Sequence, residues 1–296
     1  MTQGYIQLKL AAGLFVGLLL SLSAVPTAHA AERESITLSP VSKHYQLKAG
    51  ETVVDELTII NDGDTAYEFT VYAQPYSVSS ENYDPDFVND RDNTDVYKWI
   101  KAEKSRYHLA AGESIKVKYT ISVPSGARPG GHFGAIFAET QPAETAGNNS
   151  VARKKRVGTI VYATVEGRYR TGGSLKDISI PRLQLKTPLL TETRVENIGN
   201  TNFETDLKLT VTDLFGGVKY TDTKAYQVLP ETTRKMSLVW TKAPTFGLFK
   251  VSVSAKFLDE NITKEGYVLL APLGAQLATV AVLFAGIVYF VHKRRK

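Results

Sequence analysis

Between Ile115 and Val123 apolar and polar residues alternate without a break. Ile115, Val117, Tyr119, Ile121 and Val123 fall on one side, and Lys116, Lys118, Thr120 and Ser122 on the other. Successive side chains of an extended strand point to opposite faces, so this period of two describes a half-buried strand whose apolar face has to meet a second sheet. The same period returns in Leu207-Lys208-Leu209-Thr210-Val211 and in Val251 to Phe257. Thr52 to Ile60 is a β-branched-rich run entering Asn61-Asp62-Gly63-Asp64, a turn signal with a glycine available for positive φ, and Tyr67 to Tyr72 is its expected hairpin partner. No window from 31 to 266 carries a 3.6-residue apolar stripe, and Pro40, Pro75, Pro124 and Pro181 fall near strand ends. The expectation is an all-β chain with two immunoglobulin-like β-sandwich domains in tandem, each of about 100 residues.

Charge narrows the partners. The net charge of +5 sits entirely at the ends: residues 1–30 hold Lys9 alone, and 267–296 hold Lys293, Arg294, Arg295 and Lys296, with no Asp or Glu in either stretch. The middle is neutral overall, so the basic footprint that nucleic acid requires is absent. With no cysteine in the chain, disulfides, thiolate nucleophiles and cysteine-based zinc sites drop out.

The ends read as addresses. Lys9, an apolar run from Leu10 to Leu22, and Ala28-His29-Ala30 before Ala31 have the order of a secretory signal peptide over residues 1–30, with an uncleaved signal anchor as the competing reading. Residues 267–291 form a stretch of 25 without a charge, about 37 Å as a helix against a bilayer core of about 30 Å. His292-Lys293-Arg294-Arg295-Lys296 follows and places that end in the cytoplasm by the positive-inside rule. These features predict a single-pass type I protein of the cell membrane: one transmembrane helix over 267–291, a basic tail over 292–296, and residues 31–266 outside. A buried core helix is the alternative for the apolar stretch. Leu258 to Gly266 is expected to serve as the linker to the span.

Within the ectodomain, Gly172-Gly173 marks the boundary between a first sandwich over 31–170 and a second over 171–266. Gln141 to Asn149 (QPAETAGNN) is polar and low in β propensity, which fits either an excursion within the first domain or a linker. Both halves carry an Asn-x-Gly turn after an early strand, Asn61-Asp62-Gly63 and Asn197-Ile198-Gly199.

Several short motifs resemble a known family. Ile36-Thr37-Leu38-Ser39-Pro40, Leu47-Lys48-Ala49-Gly50-Glu51, Ile60-Asn61-Asp62-Gly63, Ala111-Gly112-Glu113-Ser114 and Pro129-Gly130-Gly131-His132-Phe133-Gly134-Ala135-Ile136 look like the first domain of WxL-interacting proteins. Val195 to Asn200 and Thr245 to Val251 follow the plan of its second half. The resemblance implies a surface protein of Gram-positive bacteria with a peptidoglycan-binding immunoglobulin-like domain, a second, host-binding domain, and a C-terminal membrane anchor.

Candidate site residues are few. Asp84, Asp86, Asp90, Asp92 and Asp95 lie within twelve residues; oxygen ligands in one loop suit calcium, but EF-hand spacing is missing, and a solvated acidic loop is the alternative. Of the aromatic residues flanking that loop, Tyr83 and Trp99 are the binding candidates, able to stack on sugar rings or anchor a protein, or else to close the end of a sandwich. Arg153, Lys154, Lys155 and Arg156 are the one basic run outside the tail, suited to an anionic polymer or headgroup, or simply to a solvated loop. Gly130, Gly131 and Gly134 precede apolar strand and not a helix, which argues against a phosphate loop and for close backbone approach or a bulge. On an edge strand, their amides would be open to a partner strand.

The exterior histidines are His44, His108 and His132, and no Gly-x-Ser-x-Gly or His-Glu-x-x-His motif is present. The expectation is therefore a non-enzyme without cofactor or metal. It is a membrane-anchored cell-surface protein that binds peptidoglycan, or a wall-associated protein, without covalent chemistry. The competing function is an assembly or chaperone-like factor working by β-strand addition, as in pilus-chaperone-like folds that also pair two sandwiches.

Overall fold

The first domain holds eleven strands, nine in the two sheets of a sandwich and two in a separate small sheet, in the computed structural model, which describes residues 35–141, 154–272, 293 and 294. They are β1 (Thr37–Ser39), β2 (Ser42–Leu47), β3 (Thr52–Ile60), β4 (Tyr67–Pro75), β5 (Ser77–Val78), β6 (Pro85–Asp86), β7 (Ile100–Ala102), β8 (Arg106–Leu109), β9 (Ser114–Ser122), β10 (Gly130–Thr140) and β11 (Arg156–Val165). A short 3₁₀ turn covers Asp95–Lys98. One sheet has the order β1-β3-β9-β7, and the sheet facing it β2-β11-β10-β4-β8. The alternating run 115–123 supplies β9, and its Val117, Tyr119 and Ile121 are buried against Leu57 and Ile59 of β3 and Phe69 of β4.

The second sandwich consists of β12 (Gly173–Ser179), β13 (Leu183–Gln184), β14 (Leu189–Asn197), β15 (Phe203–Thr212), β16 (Val218–Val228), β17 (Thr233–Trp240), β18 (Gly247–Phe257) and β19 (Glu260–Leu270). Its sheets run β12-β14-β17 and β13-β19-β18-β15-β16. Leu207, Leu209 and Val211 of β15 and Val251, Val253 and Ala255 of β18 are buried, while Lys208 and Lys256 face water, so period two is kept on both strands. In each sandwich the chain begins in one sheet and crosses to the other, where β2 pairs in parallel with β11 and β13 with β19.

Two local expectations are corrected. Asn61-Asp62-Gly63-Asp64 does not close a hairpin: β3 pairs with β9, while β4 crosses to the opposite sheet and pairs with β10. The buried Asn61 holds this crossover. Its Nδ2 donates to the carbonyls of Thr65 (2.8 Å) and Ala110 (3.0 Å), and its Oδ1 accepts the Gly63 amide (3.0 Å). Asn197 repeats the device, donating to Thr201 (2.8 Å) and Val228 (2.9 Å) and accepting from Gly199 (2.8 Å). The second correction concerns the C-terminal side. Leu258 to Gly266 is no linker, because Glu260–Leu270 is a full-length strand paired with β18, and strand geometry extends through Tyr267–Leu270, past the boundary read from charge. Charge alone does not separate the end of a strand from the start of an apolar helix. The signal peptide, most of the apolar stretch and residues 142–153 lie outside the described residues. Among the described residues, no helix is long and apolar enough to cross a membrane.

Candidate binding surfaces

The loop between β5 and β6 carries Tyr83 out of the first sandwich and onto the second. Tyr83 adopts φ 65°, a left-handed conformation costly for a side chain with a Cβ, and the ring it delivers is locked from three directions. Its hydroxyl accepts the Leu229 amide at 2.7 Å and donates to Thr232 Oγ1 at 2.7 Å. The Arg234 guanidinium lies 4.0 Å from the ring centroid. Burial pushes the Tyr83 hydroxyl above its ordinary range, so the phenol stays neutral and keeps its proton for Thr232. Beside it, Glu81 accepts the Lys235 amide through its carbonyl at 2.7 Å and pairs its carboxylate with Arg194 at 3.0 Å. Leu229 of the second sandwich completes an apolar cluster with Tyr76, Phe133, Phe137 and Tyr162 on the outer face of the first. Tyr83 is thus a joint residue, its hydroxyl and one ring contact engaged by the second sandwich.

Trp99 lies inside the first sandwich. It is 7% exposed, part of the first core, and its ring lies 4.7 Å from that of His132. His132 is itself buried between Asp95 Oδ1 (2.5 Å) and the Arg128 carbonyl (2.8 Å). His44 stacks on Tyr162, with centroids 4.7 Å apart.

The glycines belong to close approaches and not to an edge, since β10 runs between β11 and β4. Gly130 has φ +126°, and a Cβ there would stand 2.8 Å from the Asn200 carbonyl oxygen. That same carbonyl accepts the Gly131 amide at 2.8 Å, making a second seam between the sandwiches. At Gly134 a Cβ would meet Val96 Cγ1 of the 3₁₀ turn at 2.7 Å.

The charged candidates disperse among local partners. Asp84 accepts from Ser80, Asp86 from Asn89, Asp90 from Lys98, and Asp92 and Asp95 face Arg128 and His132. Among the described residues no three side chains of metal-binding type converge. In the basic run, Lys154 pairs with Glu139 (3.2 Å) and the Arg156 guanidinium sits 4.5 Å from the Phe137 ring centroid, while Lys155 donates its amide to Thr140 Oγ1. Arg153 lies outside the described residues. A hydrogen bond from Tyr72 and then Lys154 hold the Glu139 carboxyl below its ordinary range against the upward push of its partial burial.

Backbone edges remain. β2 covers β11 only from Ile160 onward, so Arg156 to Gly158 have no strand partner on that side among the described residues, while the buried Thr159 donates its hydroxyl to the Pro40 carbonyl. β19 meets β13 at Leu269 and Leu270 alone, but its remaining edge carries Glu260, Lys264 and Glu265, and the Lys264 amine reaches across to the Ile178 carbonyl of β12. β16 is different. It pairs with β15 along its length and with no strand on its other side among the described residues. The inward tyrosines Tyr220 and Tyr226 tie it to the Val239 and Ser237 carbonyls of β17, while Thr221, Thr223 and Ala225 stand exposed. A polar crevice of about 350 Å³ lies between the sandwiches, lined by Asn93, Arg128 and His132 on one side and Asn200, Glu231 and Thr232 on the other.

The fold and these edges define a class: an all-β protein of two tandem sandwiches with one sheet edge left unpaired among its described residues. No protein-family model matches the chain, and no curated protein does. Among solved structures, the class 5 fimbriae chaperone CfaA is 15% identical with a TM-score of 0.39, covering 81% of this chain and 100% of its own. The YadV chaperone is 12% identical, TM-score 0.39, covering 79% and 99%. The Salmonella enterica SafA pilin–SafB chaperone structure gives 10%, TM-score 0.40, 81% and 99%. At such values the functional reading has to come from the geometry of this chain.

Proposed function

We propose that this protein is an extracytoplasmic protein-binding protein, held at the cell membrane by its apolar C-terminal segment, that accepts an extended segment of a protein partner by β-strand addition. The observation that carries this reading is the outer edge of β16, an eleven-residue strand paired on one side only among the described residues. An unpaired edge offers main-chain donors and acceptors in a fixed register, and the side chains above it select the partner. Natural edges are usually blunted by charge or covering segments; on β16 Thr221, Thr223 and Ala225 are the short uncharged side chains of one face, while Asp222 and Lys224 pair with each other on the face that also carries Tyr220 and Tyr226. The fixed joint at Tyr83 presents the edge on one two-domain body. The resemblance to WxL-interacting proteins supports a surface location and a binding role for the second domain. Peptidoglycan is the weaker ligand, since Trp99 and Tyr83 are taken up by the core and the joint.

A photo-crosslinking residue at Thr223 of the full-length protein in its native envelope tests the reading. The expected result is a defined protein adduct at Thr223 and none at Thr210, on the interior strand β15. Absence of an adduct, together with co-sedimentation on insoluble cell wall, would return the function to polymer binding.

A further inference from the structure

Ten of the sixteen large apolar side chains that stand exposed among the described residues sit at one end of the second sandwich, so their exposure is not random scatter. The register makes them neighbours. Leu183, Leu269 and Leu248 are cross-strand partners in one row on β13, β19 and β18, and Tyr267 lies in the next row opposite Lys250. The turn between β15 and β16 leaves the same end of the sheet with Phe215 at its tip, 98% exposed, and Phe246 enters β18 there, 67% exposed. Arg182, Lys186 and Lys242 stand exposed on the adjoining loops.

This is also the end at which the chain departs. β19 finishes at Leu270, and the Ala271 amide is still bonded to the Gln184 carbonyl at 3.1 Å. Residues 273–291 are uncharged throughout, about 28 Å of helix against a hydrocarbon core of about 30 Å. No spacer separates the sandwich from that stretch. If it spans, the apolar end of the sandwich is held within the headgroup layer, which is only about 5–8 Å deep on each side.

We infer that this end of the second sandwich docks on the outer leaflet of the membrane, with Phe215 and Phe246 inserted at the boundary between the headgroups and the acyl chains and the flanking basic residues against anionic headgroups. The inference rests on the membrane tether in the proposed function. Aromatic and aliphatic tips with a basic surround match the chemistry of an interfacial contact.

The chain has no cysteine, so single cysteines report cleanly. Full-length Phe215→Cys and, at the opposite end of β19, Glu260→Cys would carry an environment-sensitive fluorophore in vesicles of phosphatidylcholine and phosphatidylglycerol. Docking requires that the label at 215 shift to the blue and resist aqueous iodide about tenfold better than the label at 260, as interfacial burial does. Protein that floats with the vesicles while both labels are equally open to iodide overturns the docking and leaves the tether standing. Protein that fails to float overturns both. Shielding that fades as the protein is diluted into excess lipid assigns the face to a second copy and overturns the lipid contact. Both substituted side chains are exposed, and an unchanged far-UV circular dichroism spectrum confirms that the variants fold.

Discussion

Arg234 of β17 holds its guanidinium 4.0 Å from the ring centroid of Tyr83, 151 residues earlier in the chain and in the other sandwich. The contact explains why a tyrosine occupies a left-handed backbone position at φ 65°: the local strain is outweighed by the two hydrogen bonds and the cation–π contact that the ring makes across the joint. Tyr83→Ala should remove about 2–3 kcal/mol, taking each hydrogen bond at about 1 kcal/mol and the ring contact at about 0.5–1 kcal/mol. Calorimetry of the wild type should give one transition and the variant two. A single unchanged transition would mean that the sandwiches are coupled elsewhere.

Asn61 and Asn197 perform one task in two domains, so their loss should cost alike. Asn→Ala at either position orphans two carbonyls and an amide, about 2–4 kcal/mol after partial rescue by water. Denaturant unfolding of the two single variants measures this, and a cost below about 1 kcal/mol at either position contradicts the assignment.

A polar cluster at β2, β3 and β9 sets the pH limits of the first sandwich. Burial pushes the Asp55 carboxyl up, but hydrogen bonds from Lys43 (2.8 Å) and Tyr45 (2.6 Å) outweigh it and hold the group below its ordinary 3.8. A depressed folded value contributes stability that is present above pH 3.8 and lost as the pH falls below it. Tyr45 and Tyr119 are displaced upward, by burial first and by Asp55 as well. Their contribution is complete below the ordinary tyrosine value of 10.0 and declines above it. Asp55→Asn should flatten the acid limb of a melting temperature against pH profile. Retention of the wild-type acid limb would assign it to other carboxylates.

Gly130→Ala should destabilise by about 1–3 kcal/mol, because it combines a left-handed φ with a methyl group 2.8 Å from the Asn200 carbonyl. Gly112→Ala is the matched control, with positive φ but no atom within 4 Å of the new Cβ. Equilibrium unfolding of the pair isolates the steric part. Equal costs would show that Asn200 yields.

Much of the architecture was written in local periodicity. The run 115–123 announced β9, and the runs at 207–211 and 251–257 lie within β15 and β18, because a period of two with one apolar face has one extended solution. The two Asn-x-Gly turns were visible as well, but not their role: an asparagine that caps a crossover between sheets and one that closes a hairpin have the same local spelling. The boundary read at 267 falls inside a strand for a related reason, since Tyr267 to Leu270 are as apolar on a strand as they would be in a helix.

The sequence by itself determined the strands at 115–123, 207–211 and 251–257 and which of their faces is apolar, since both follow from neighbours two positions apart. The assignment of Trp99 to the core, of Tyr83 to a joint with Arg234, of Gly130 to a seam against Asn200, and of β16 to an open edge belonged to the tertiary structure alone. These properties depend on what a residue meets from a distant part of the chain, and no local pattern encodes the partner across that separation.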